Sequence, residues 1–297
     1  VTDSKMTPEL KTSLKFDIGR IPEILLPIPE INLQKWAVIA CDQFTSQPEY
    51  WQEVSDFVGD APSTLHMILP EVWLNSPDVD QRIRRTQVAM QQYLSAGLLA
   101  GHQGMILVER EASGKTRTGL MLALDLEAYD YHRDSQTLIR ATEGTILERL
   151  PPRMHVRRGA PLELPHILVL YDDPEFSVLS PVLEAKANLP ICYDFDLMMD
   201  SGHLTGRWVD QPQLLDAVIH ALASLIAPQT YAQKYHQPEG TAPLLFAVGD
   251  GNHSLATAKA IWEELKPHVG LDYPARYALV EIENLHDPAI QFEAIHR

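Results

Sequence analysis

Between Leu244 and Leu265 the hydrophobic period changes from strand-like to helix-like across a four-residue polar turn. Leu244 to Val248 is an apolar run that reads as a buried strand. Gly249, Asp250, Gly251 and Asn252 follow, residues that favour turns, two of them permissive of positive φ. Then Leu255, Ala258, Ile261, Trp262 and Leu265 recur at helical spacing, with Lys259, Glu263, Glu264 and Lys266 on the other side. A strand, a tight turn and an amphipathic helix in that order demand a layered α/β packing, because each element must bury its apolar face against another.

Such a turn brings the first amides of a helix to the carboxyl end of a strand, where open α/β sheets bind ligands. The amides and the helix dipole favour an anion such as phosphate. Gly251 leaves room for close approach, and Asn252 and His253 can donate hydrogen bonds. Asp250 suits this role if it holds a magnesium ion or takes a proton from an attacking hydroxyl. The plainer alternative makes Asp250 or Asn252 a helix cap and leaves His253 solvated. Both readings stand on these residues alone.

From the N-terminus, residues 1–17 are polar and read as loosely held, and prolines at 22, 27 and 29 fix an extended path through Ile18 to Ile31. Trp36 to Ala40 reads as a strand delivering Cys41, Asp42 and Gln43 at its end. Ser46 with Glu49 and Asp210 with Gln213 have capping-box spacing, each ahead of a helix. Leu65 to Leu69 reads as a strand, and Ser76-Pro77 opens a helix closed at Gly97. Hairpins are expected around Ser113-Gly114 and Asp200-Ser201-Gly202, with a bulge at Gly119. Thr137 to Arg140, His166 to Tyr171, Arg276 to Ile282 and Phe292 to His296 read as strands. Val178 to Leu189 and Leu214 to Ile226 read as helices, the second ended by Pro228.

Between these, Glu143 and Thr145 precede Arg149, Arg153, Arg157 and Arg158. An arginine cluster beside them can clamp a phosphate, although pairing with local acids is the simpler use. The fold class that emerges is α/β or α+β, a mixed sheet with flanking helices. Residues 1–297 form one compact region, or two packed halves divided near residues 160–175, and the chain reads as truncated at its C-terminus.

The net charge of −16 excludes a general nucleic-acid binder, which needs excess Lys and Arg. Two cysteines, Cys41 and Cys192, are too few for a disulfide framework, and no apolar run reaches membrane-span length. A cytoplasmic protein with a small-molecule ligand, no nucleic-acid partner and no membrane is expected.

The segments Cys41-Asp42-Gln43, Thr142-Glu143-Gly144-Thr145 with Arg149 and Arg153, Asp250-Gly251-Asn252-His253-Ser254, and His296-Arg297 resemble, in order and spacing, the prokaryotic family called domain of unknown function 1015. Ser254 stands where that pattern has an arginine, and Asn252 where it has a histidine. The Asp-Gly-Asn-His turn also resembles the phosphate-binding turn of the ParB and sulfiredoxin-like fold, which includes free-serine kinases. This second resemblance spans some twenty residues and implies a nucleotide.

These readings combine into a nucleotide- or phosphometabolite-binding enzyme that transfers or removes a phosphoryl group. Asp250, His253 and Glu143 are the candidate catalytic residues. Gly251, Asn252, Asp42, Thr145, Arg149, Arg153, His296 and Arg297 are the candidate binding residues. Asp250 is the candidate metal ligand, with magnesium and ATP or ADP as cofactors. A non-catalytic nucleotide-binding regulator is one alternative. A metal-dependent hydrolase using Asp250, His253 and His296 is another. All these segments are expected to converge on one cleft.

Overall fold

The computed structural model describes residues 15, 16, 18–238 and 240–290. Among them, eleven strands form one sheet in the order β10-β11-β5-β6-β13-β9-β12-β8-β7, with β2 on β6 and β1 on β2. The strands are β1 Lys15–Phe16, β2 Gly19–Arg20, β5 Met105–Ala112, β6 Lys115–Asp125, β7 Tyr129–Asp130, β8 Ile139–Ala141, β9 Leu168–Tyr171, β10 Ile191–Asp196, β11 His203–Val209, β12 Phe246–Asp250 and β13 Tyr277–Asn284. A separate pair joins β3 Glu23–Pro27 to β4 Leu99–Gln103. Helices are α1 Leu33–Trp36, α2 Pro48–Val58, α3 Val79–Ser95, α4 Leu150–Arg157, α5 Ser180–Ala185, α6 Pro212–Leu225, α7 Pro228–Tyr235 and α8 Asn252–Leu265. The sheet is mixed, as the alternation of hairpins with strand-helix steps requires: β12 runs parallel to β8 but antiparallel to β9, and β9 runs parallel to β13.

The central strands are apolar at consecutive positions because both their faces are covered. Leu120, Leu122 and Leu124 of β6 join Val280 and Ile282 of β13 in the main core, packed with Val218 and Leu222 of α6 and Leu255 and Trp262 of α8. Met121 and Leu279 point the other way, into a cluster with Ile24 of β3 and Ile106 of β5. Leu255, Ala258 and Trp262 are almost wholly buried. Each large apolar side chain so buried stabilises the packing by about 2 kcal/mol. Both expected hairpins are present, as are the strand-turn-helix and the helix that ends before Gly97.

Several local expectations fail for identifiable reasons. Trp36 to Ala40 is not a strand. Asn32 accepts from the Lys35 amide and starts the short α1, while the Trp36 carbonyl accepts from the hydroxyls of Ser63 and Thr64. Leu65 to Leu69 is not a strand either; Ser63 Oγ accepts from the Leu65 amide and opens a 3-10 turn, Thr64–Met67. The two capping boxes are unused, because α2 and α6 begin at prolines preceded by Gln47 and Gln211, neither of which makes a side-chain cap. Pro228 follows the end of α6 but opens α7.

Gly119 makes no bulge, its register with β5 and β13 being unbroken. A Cβ there would come within 2.5 Å of Glu281 Oε1, so the glycine makes room for that carboxylate. Residues 1–14 and 17, and the strand expected at Phe292 to His296, lie outside the described residues.

Candidate functional site

Strand directions decide which residues meet. Parallel β8 and β12 end together, presenting Thr142 and Glu143 beside Asp250. Antiparallel β9 begins at that edge, with Leu168 opposite Asp250, and the residue two before it is His166. Three segments distant in sequence thus deliver polar groups to one rim of the sheet.

Gly251 starts α8 at φ 81°, and a Cβ would meet Ile167 Cγ1 at 3.0 Å. Both facts favour glycine. No side chain caps α8. Asp250 Oδ1 accepts from the Gly251 amide at 2.8 Å, one residue short of a helix cap. Asn252 is buried and faces the end of β8, its Oδ1 accepting from the Thr142 amide and its Nδ2 donating to Thr142 Oγ1, each at 3.2 Å. His253 Nε2 accepts from the Ile146 amide at 3.3 Å, so Nδ1 carries the ring proton, 3.7 Å from Glu143 Oε1.

Asp250 keeps solvent access at residue level, yet the rim removes enough water to push its carboxyl above the usual range. The nearby charges of Asp42 and Glu143 push it the same way, and the Gly251 amide and His166 oppose them. Asp42 comes from a turn rather than a strand end, its Oδ2 3.7 Å from His166 Nε2. That same nitrogen lies 2.7 Å from Ser254 Oγ. Asp42, Glu143, His166, Asp250, His253 and Ser254 are therefore neighbours.

The arginines divide. Arg153 is held by Glu71 at 2.5 Å and donates to the Arg149 carbonyl, Arg157 pairs with Glu163, and Arg158 grips Glu264 with two bonds. Pairing with local acids is thus the use of three of the four. Arg149 stands at the start of α4, its carbonyl accepting from Arg153. Thr145 Oγ1 is buried without a hydrogen-bond partner among them. His296 and Arg297 lie outside the described residues, so their place in the cleft is not seen.

No group of three or more His, Cys, Asp or Glu among the described residues is arranged to hold a metal. No described helix is long and apolar enough to cross a membrane. His166 belongs to the site but not to the residues singled out from sequence, and Ser254 was singled out there only as the replacement of an arginine. A histidine opening an otherwise apolar strand, Pro165-His166-Ile167, was the available signal.

Two cavities meet here. One of about 1190 Å³ runs between the sheet, the β3–β4 pair and residues 157–166. A smaller one of about 160 Å³ lies behind the first turn of α8. Cys41 and His166 line both. Burial pushes the Cys41 thiol up to about 12, so it is a neutral wall group and not a nucleophile.

A stretch of 32 residues is 69% identical to a glutamine synthetase from Bacteroides fragilis (strain YCH46), covering 11% of this chain and 4% of that protein. The chain therefore spans only a small part of that relative's length. No solved structure matches. The family model described as protein of unknown function (DUF1015) matches residues 25–297, and the chain belongs to that family.

Proposed function

We propose that this protein is an enzyme that binds a nucleotide or phosphorylated small metabolite at the start of α8 and transfers or removes a phosphoryl group. The observation that carries the reading is Asp250, a carboxyl pushed above its usual range directly before a helix that no side chain caps. A carboxyl tuned toward neutral pH can take a proton from a hydroxyl and return it. The adjoining helix start favours the phosphate oxygens.

In this reading the substrate hydroxyl oxygen attacks phosphorus, the bond from phosphorus to its leaving oxygen breaks, and the hydroxyl proton passes to Asp250. Gly251 admits the phosphate, and Asn252 holds the turn against β8. Thr145 and Arg149 face the phosphate from the loop after β8, and His253 and Glu143 position that loop. Three carboxylates repel a phosphate, and His166 offsets part of that charge when protonated. Asp250 and the phosphate oxygens would be the ligands of a magnesium ion, which takes one or two carboxylates with substrate phosphates and would neutralise the charge on the phosphate. ATP is the donor in this reading, as the sequence resemblance of the turn to that of free-serine kinases would imply.

Isothermal titration with ATP, ADP and phosphoserine, with and without magnesium, tests the reading. Binding of none of them rejects it. A second reading, a regulator that holds a nucleotide without turnover, draws on the commitment of Arg153, Arg157 and Arg158 to acids. Nucleotide binding with no phosphate release or transfer would select it.

A further inference from the structure

The 160 Å³ chamber behind α8 has an unusual wall for a place so near a polar rim. Met67, Leu69, Leu74, Met90, Val156 and Ile167 line it, and Met67, Leu69 and Met90 are each no more than 5% exposed. Ser254 and His166, whose Oγ and Nε2 lie 2.7 Å apart, line the chamber and also belong to the site. The charged groups in the wall pair off, Glu71 with Arg153 at 2.5 Å and Arg157 with Glu163. The Cys41 thiol is neutral. A chamber of this size with a mainly apolar lining has room for a benzene-sized guest. Two methionines make its shape adaptable.

We propose that the chamber is a specificity pocket, receiving an apolar side group of the ligand whose phosphate lies at the start of α8. The ligand class is then a small phosphorylated molecule with a phenyl-sized or branched aliphatic substituent on its non-phosphate side. This rests on the phosphate reading above, but the chamber can be tested without it. A wholly polar ligand would leave the chamber unfilled and forfeit the contacts that separate it from close analogues, which in apolar pockets amount to roughly tenfold or more.

The test uses the full chain with methyl phosphate, phenyl phosphate and benzene as probes. Phenyl phosphate is expected to bind at least about tenfold more tightly than methyl phosphate by titration. Benzene alone is expected to raise the thermal midpoint, because it binds only the folded chain. Val156→Phe, which fills the chamber from α4, should bring phenyl phosphate down to the affinity of methyl phosphate and abolish the benzene shift. If that variant does not fold, Met90→Ala should instead improve binding of naphthyl phosphate. Equal binding of the two esters with no benzene shift overturns the pocket and leaves the phosphate site standing. A benzene shift without binding of either ester supports the pocket and rejects the phosphate reading. No response to any probe rejects both.

Discussion

Thr142 and Asn252 hold each other by two hydrogen bonds across 110 residues of sequence, amide to side-chain carbonyl and side-chain amide to hydroxyl. The Thr142 hydroxyl donates onward to the Val248 carbonyl at 2.6 Å, so one small network binds the end of β8, the end of β12 and the start of α8. Asn252→Ala removes the partner of the Thr142 amide. The expected cost is about 1 kcal/mol in urea unfolding, the usual net worth of a hydrogen bond at a part-buried site. A loss under about 0.5 kcal/mol would mean that the network is not holding the rim together.

Asp250→Asn separates chemistry from architecture. The carboxyl is raised in the folded chain, chiefly by loss of water, so its ionised form is the disfavoured one. Stability from this group is fully present below its unfolded range and declines as pH rises through the folded value. The variant should therefore be at least as stable as the parent at pH 7, with the difference shrinking on acidification. Ligand turnover should vanish while the circular dichroism spectrum stays unchanged. A destabilised variant would make Asp250 a structural residue.

Glu281 and Glu283 share a buried patch of the sheet with Arg117, whose Nε lies 2.6 Å from Glu283 Oε1. Burial pushes both carboxyls up, Glu283 to about 8 with its neighbour Glu281 pushing the same way. In the unfolded chain such a group titrates near 4.5. Between those values the folded state keeps a proton that the unfolded state has lost, so stability falls as pH rises. Urea midpoints measured from pH 5 to pH 9 should decline in the parent and flatten in Glu283→Gln. A flat profile in the parent would contradict the raised carboxyls.

Arg153 and Glu71 are mostly buried, 19% and 14% exposed at the side chain. Arg153→Ala leaves a carboxylate without its partner and should cost about 3 kcal/mol. The pair Arg153→Met with Glu71→Leu should recover most of that loss. Because the guanidinium is already committed, the single change should leave methyl phosphate affinity within about twofold of the parent by titration; a loss of tenfold or more would show the arginine reaching the phosphate.

How much of this was legible in the chain depends on what each segment packs against. The turn at Asp250 and the helix after it were plain, since Leu255, Ala258 and Trp262 repeat at the helical period and all are buried. Trp36 to Ala40 misled because its apolar run lines a cavity instead of pairing in a sheet, and apolarity alone does not distinguish the two. The neighbourhood of Asp42, Glu143 and Asp250 was anticipated, but not through the strand end expected before Asp42. His166 escaped, and Ser254 was read only as a missing arginine, because their pairing is a hydrogen bond across 88 residues, which no local pattern encodes.

The order of strands at the rim also bears on how the chain reaches its native state. β12 lies between β8 and β9, strands drawn from much earlier in the sequence, so Asp250 meets Glu143 and His166 only after long stretches of chain have closed. Closures of that span are slow compared with local hairpins such as β5–β6. Ligand binding during refolding would therefore lag behind the return of secondary structure. The appearance of binding would time the closing of the central sheet.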